Sequence, residues 1–247
     1  MHNRKLTRTT TGMITSMDTP TLTTAEPLAL LRLLQLASPA LPVGAFNFSQ
    51  GLEYAVEQGW VRDRETATAW ILGLAEHGIA MLDLPLLLRM HAAWLAGDTS
   101  RARELSRQLV ASRETSEARA EERHMGQALA KILATSGIPA APPWQRDPGS
   151  SYAALFALAA SEAGAAAHDT AVAYLWAWAE NQVLAAVKLI PLGQSDGQRA
   201  LEIIRRRIPR LVAAAEELAN EDIGSAAPLA MMAGCWHETQ YTRLFRS

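Results

Sequence analysis

The sequence predicts an all-α, bundle-like domain over residues 27 to 247, preceded by a flexible arm. Three observations carry this reading. Apolar residues recur at helical spacing along most of the chain, no stretch alternates with the period of two that a half-buried strand requires, and hydrophobic residues make up 49% against 19% charged. That apolar content is enough to bury a sizeable core.

Residues 1 to 26 are rich in Thr and Ser and lack a sustained period, so they cannot bury enough surface to offset their ordering entropy. A helix begins at Pro27, whose missing N–H costs little in a first turn, and Leu28, Leu31, Leu34 and Leu36 carry it to Ser38-Pro39. Residues 38 to 47 hold two prolines and a glycine and predict a loop, after which Ser49 is placed to cap a new helix. Two helices are expected over 63 to 80 and 83 to 96, ending at Gly97 with Asp98 as the next cap. From 99 to 124, Glu117 and Glu121, like Arg119 and Arg123, stand four apart, which reads as a solvated face. Four prolines and two glycines between 137 and 150 mark a loop too short to separate domains. Helices then follow over 152 to 163, 168 to 190, 198 to 219 and 222 to 236, Ala-rich enough to pack closely.

Lys and Arg number 23 against 25 Asp and Glu, a net charge of -2, so no positive field gathers nucleic acid. The one cysteine, Cys235, forms neither an intramolecular disulfide nor a thiolate cluster, which fits a cytoplasmic protein. The Thr-rich start has no apolar run like that of a secretory signal. The apolar stretches at 80 to 88 and 226 to 236 fall short of the roughly 20 residues of a membrane span, so no membrane partner is expected.

Catalytic patterns were sought by their chemistry. Leu192 to Gln198 is glycine-bearing but lacks the lysine with which a P-loop holds phosphate, which predicts no nucleotide hydrolysis. Asn47 to Gly51 lacks the first glycine of a nucleophile elbow, and no strand precedes it. Six scattered histidines make no i, i+4 pair and no metalloprotease signature. Cys235 and His237 are the one soft-ligand pair close in sequence and could touch nickel transiently if two copies met. An enzyme of another kind would need distant groups brought together, such as Glu122 with His124. A nickel store would need His- or Cys-rich tracts, which this chain lacks.

Three separated blocks resemble the UreF family of urease accessory proteins. Residues 38 to 53, SPALPVGAFNFSQGLE, resemble the family pattern S-P-x-L-P-[VI]-G-x-[FY]-x-x-S-x-G-L-E. Residues 181 to 198, NQVLAAVKLIPLGQSDGQ, resemble its stretch in which an apolar helix ends at proline before a polar turn. Residues 237 to 247, HETQYTRLFRS, are similar to its ending H-E-x-x-Y-[ST]-R-L-[FY]-x-S. A weaker likeness runs through Arg113, Glu114, Thr115, Glu117 and Arg119 with Met125-Gly126, while Gly234-Cys235-Trp236 replaces residues that are more polar in the family.

The resemblance implies an all-helical homodimer that binds UreD (also called UreH) and the GTPase UreG, in a complex that delivers nickel to apo-urease and tunes GTP hydrolysis. It implies no cofactor and no catalytic residue of its own. The candidate partner-binding residues are Pro42, Gly44, Phe46, Ser49, Gly51 and Glu53 in the first block, and Lys188, Gln194 and Gln198 in the second. The third contributes His237, Glu238, Tyr241, Arg243, Leu244 and Phe245, with the segment expected to fray alone and to dock when a partner binds. Surplus apolar area for a dimer is expected on the helices after Ser150.

Overall fold

The computed structural model describes residues 27–247, so the expected arm, residues 1 to 26, lies outside the described residues. Every regular element among the described residues is helical. Helix α1 (Pro27–Ala37) buries Ala29, Leu33 and Leu36, which leaves Leu28, Leu31 and Leu34 outside. A proline-rich turn leads through a short 3₁₀ segment to α2 (Leu52–Glu57). The cap lies at Gly51 rather than Ser49, because both Gln50 and Gly51 take positive φ and delay the first helical turn.

The two helices expected over 63 to 96 are one continuous run. Asp63 and Thr66 form a capping box that starts α3 (Arg64–Leu74), and a π-helical stretch, Ala75–Asp83, joins it to α4 (Leu84–Leu95). Pro85 explains the π segment, since it has no N–H for the carbonyl of Met81. That carbonyl instead accepts from Gly224 N at 3.0 Å, and the carbonyl of His77 accepts from Ala226 N at 2.9 Å. The fused run, Arg64–Leu95, is long and apolar enough to cross a membrane, which the shorter stretches counted in sequence concealed. Over half of that apolar window, 56%, is buried inside the fold.

Gly97 and the Asp98 cap open α5 (Thr99–Ala111), and Thr115 caps α6 (Ser116–Thr135). The charged stretch is therefore two helices, and Glu121 and Glu122 point inward rather than onto a solvated face. After the proline-rich loop, the hydroxyl of Ser151 caps α7 (Tyr152–Glu162), in which nine consecutive residues, Tyr152 to Ala160, are buried. This helix is the centre of the molecule, packed against α4, α5 and α6. Helix α8 (Ala167–Leu189) lies along α1 and α9 (Gln194–Arg205). Proline splits the long helix expected after 198, so α10 (Ile208–Glu217) starts afresh around Pro209. The last helix, α11 (Pro228–His237), crosses α2.

Close approach of α6 to the start of α7 depends on Gly126, where an added Cβ would lie 2.7 Å from the backbone carbon of Ser151. Gly126→Ala is expected to cost about 1–3 kcal/mol, because backbone rather than a flexible side chain must yield. Gly73→Ala, with nothing within 4 Å, should be neutral or stabilising. Equal melting temperatures for the two variants would contradict this packing.

Candidate functional site

The first and third sequence blocks, whose Glu53 and His237 are 184 residues apart in chain order, form one surface with the start of α6. Glu53 is the hub: its carboxylate, buried on α2, accepts from the backbone N–H of Leu244 at 2.6 Å and of Phe245 at 2.9 Å, and meets His237 Nε2 at 3.1 Å. The other ring nitrogen of His237 lies 2.8 Å from Glu117 on α6, and Arg243 pairs with the second oxygen of Glu117. With both ring nitrogens against carboxylate oxygens and no exposed surface, His237 locks α11 to α2 and α6.

Glu238 serves differently. One carboxylate oxygen accepts from Ser116 N and Ser116 Oγ, both at 2.7 Å, and from Glu117 N at 3.1 Å. These bonds, led by the Ser116 hydroxyl, hold its carboxyl below the usual range, as fits an anion at a helix N-terminus. The adjacent His and Glu thus anchor the third block to two different ends of helices.

The chain end is seated on the first block. The carbonyl of Ser247 accepts from Ser49 N at 2.7 Å, Gln50 N at 3.1 Å and Ser49 Oγ at 2.5 Å, while Arg246 N donates to Asn47 O at 2.8 Å. Ser247 Oγ donates to Glu121 at 2.8 Å. The segment is therefore docked in the chain by itself, contrary to the expectation that it frays until a partner binds. Its amides find acceptors on Glu53 and the 47–50 turn, which removes the reason for fraying. Arg243 ties the segment to Glu117 on α6. Of the three expected apolar contacts, however, Phe245 alone is buried, and Tyr241 and Leu244 face outward.

The second block joins through one residue. Lys188, near the end of α8, places Nζ 5.8 Å from the Phe46 ring and 5.7 Å from the Phe245 ring, so one cation bridges the first and third blocks. Phe46 and Pro42 remain exposed beside it. Gln194 and Gln198 are exposed on α9, and no described contact ties them to this cluster. Asn181 and Trp178, neither of them among the candidate partner-binding residues, hold the loop from α8: Asn181 donates to Ala45 O and Trp178 Nε1 to Gln50.

Two glycines shape the surface. Gly44 has φ 82° with His124 beside it, and Gly51 has φ 80°, where a Cβ would sit 3.0 Å from Gly234 N. The missing Cβ of Gly51 is thus what lets α11 cross α2 closely, whereas a Cβ on Gly234, in the segment that departs from the family pattern, would meet Thr115 Cγ2 at 3.4 Å. Trp236 in the same segment packs on Tyr54 and Trp60, with ring centroids 5.4 and 6.1 Å away.

The metal and enzyme pairings do not assemble. Cys235 is exposed while His237 is enclosed with both nitrogens engaged, so the two do not converge on one ion. Glu122 is buried against Arg113 and Tyr152 N, whereas His124, two residues along the helix, faces out. Among the described residues no group of three His, Cys, Asp or Glu is arranged to hold a metal.

The sequence model of the UreF family matches residues 61–204, which span α3 to α9. The urease accessory protein UreF of Alkalilimnicola ehrlichii is 46% identical over 220 residues, covering 89% of this chain and 96% of that protein. UreF of an Azoarcus species is 47% identical over 225 residues, 89% and 96% of the two chains. UreF of Chromohalobacter salexigens is 43% identical over 235 residues, 94% and 100%. These alignments extend beyond the span matched by the family.

Proposed function

The chain belongs to the UreF family, and from that membership we propose that it acts in urease maturation as a scaffold, with no catalysis of its own. In this reading residues 27 to 247 work as one cytoplasmic domain that binds UreD and recruits the GTPase UreG. The complex delivers nickel to apo-urease, and the chain tunes when UreG hydrolyses GTP. The observation that carries the reading is the convergence of the three resembling blocks on one face, with Phe46, Leu244 and Tyr241 left outward and Lys188 between the rings. Rigid groups underneath and exposed aromatic and aliphatic groups above are what a docking surface needs.

A homodimer is part of the proposal. Of the helices after Ser150, α7 is enclosed and Trp176 and Trp178 pack on the core, while α11 leaves Leu229, Met232 and Trp236 uncovered. Further uncovered apolar area lies before Ser150 on α1, at Leu28, Leu31 and Leu34.

The test is co-purification. The tagged chain should retain UreD, and UreG through it, and should neither bind nor hydrolyse GTP when alone. Gly44→Val, forcing a β-branched residue to φ 82°, should keep its circular dichroism and lose most UreD capture. GTP turnover by the isolated chain, or undiminished capture by the variant, would refute the reading.

A further inference from the structure

We propose that the C-terminal segment is a latch: seated, it holds Gln50 in a left-handed backbone conformation that closes the wall between two neighbouring cavities, and lifted, it lets that wall open. This inference concerns the chain alone and does not depend on its partners.

The cavities lie on either side of one row of side chains. The first, about 110 Å³, has Thr115, Met231 and Ser247 in its lining. The second, about 80 Å³, has Leu41, Phe46 and Trp178 in its lining. Gln50, Ile79, Arg113, Glu121 and Glu122 line both. Within this row Gln50 is the spanning member: its amide nitrogen donates to Glu121 at 2.8 Å and its amide oxygen accepts from Trp178 Nε1 at 2.8 Å. The far oxygen of Glu121 is held by Ser247 Oγ at 2.8 Å. Burial pushes the Glu121 carboxyl up to about 7, with the bonds from Gln50 and Ser247 and the charge of Arg113 opposing and Glu122 reinforcing the shift.

Gln50 is the one non-glycine residue with positive φ among the described residues, at 53°. A glutamine does not choose that conformation, since its Cβ crowds the following carbonyl. The strain is held by the seated segment, because the carbonyl of Ser247 receives both Ser49 N and Gln50 N. A backbone outlier at a wall between cavities, held by a segment that is itself seated through the buried Glu53 carboxylate and Phe245, is the arrangement of a sprung catch. When Ser247 leaves, only the two side-chain bonds to Glu121 and Trp178 oppose the strain at Gln50, and its return to negative φ swings the side chain away from both.

The backbone part is tested by comparing Gln50→Gly with Gln50→Ala. Both lack the spanning side chain and differ only in tolerance of positive φ. Amide exchange of residues 244 to 247, followed by mass spectrometry with an α7 peptide as the fold control, should show roughly five- to thirtyfold more frequent opening in the alanine variant. Equal opening in the two would overturn the latch. The wall is tested by the indole N–H resonance of Trp178, assigned by its loss in Trp178→Phe. In the intact chain it should be protected from solvent exchange, and in Glu53→Ala, which lifts the segment, it should exchange at least tenfold faster. Unchanged protection with the segment lifted would overturn the opening of the wall.

Discussion

Replacing Arg113 by alanine is expected to remove about 3–5 kcal/mol of stability, because it strands two buried carboxylates. Arg113 sits between α5 and α6. Its Nη1 donates to Asp83 at 3.1 Å, its Nη2 reaches the other Asp83 oxygen, and Nη2 also donates to Glu122 at 2.8 Å. Asp83 ends the π segment and is buried, and burial raises its carboxyl despite the opposing charge of Arg113. Without the guanidinium Asp83 would be pushed higher still, so the folded variant would bind a proton that its unfolded chain releases. An acid raised on folding contributes stability below its unfolded value and loses it as pH rises through the folded value. The deficit of Arg113→Ala should therefore be largest near and above neutral pH and shrink toward pH 5. Arg113→Lys should recover part of the loss, since one ammonium cannot reproduce the fork. Urea denaturation at pH 5.5 and 8 checks the sign, and a loss under about 1 kcal/mol at pH 8 would show the triad to be unimportant.

Glu53→Ala is the second large effect, and it falls on the surface rather than the core. The carboxylate receives two backbone amides and one imidazole, and charge-assisted bonds of this kind contribute about 1.5–3 kcal/mol each, with incomplete additivity. A net loss of about 3 kcal/mol would make the C-terminal segment open roughly a hundredfold more often. The helices would stay intact, since Glu53 lies on a short helix whose other contacts, Leu52 and Ala55, remain buried. Amide exchange of residues 244 to 247 should rise accordingly while α7 stays protected. Glu53→Gln, keeping one acceptor oxygen, should lie between the two.

The helical fold was legible because its signals are local. Pro27, Asp98, Gly97 and the proline-rich loop after 137 mark boundaries by backbone chemistry that no tertiary contact overrides. Where the reading failed, a distant contact decided. Two helices were expected over 63 to 80 and 83 to 96, but Gly224 in a distant loop satisfies the Met81 carbonyl that Pro85 frees, and the helix continues. Glu121 and Glu122 share the charge pattern of a solvated face with Glu117 and Arg119, and only the position of Arg113, Gln50 and Ser247 shows that they point inward.

At the candidate site the residue types were legible and their partners were not. His237, Glu238 and Arg243 were singled out from the third block and Glu53 from the first, yet nothing in the sequence paired them, and Glu117, which holds His237 and Arg243, looks like an ordinary helix acid. A free chain end with alternating polar and apolar groups does not announce which amides will be capped. The Trp178 and Asn181 bonds to the loop were equally hidden, because an aromatic on an Ala-rich helix reads first as core.

The proposed docking of UreD and, through it, UreG requires the third block to be seated. Its most direct measurement is gel filtration of the purified chain with UreD, UreG, GTP and nickel, run beside Glu53→Ala that has the same circular dichroism. The intact chain should elute with both partners and the variant with neither. Full co-elution of the variant, with its C-terminal segment shown by amide exchange to be released, would contradict the account.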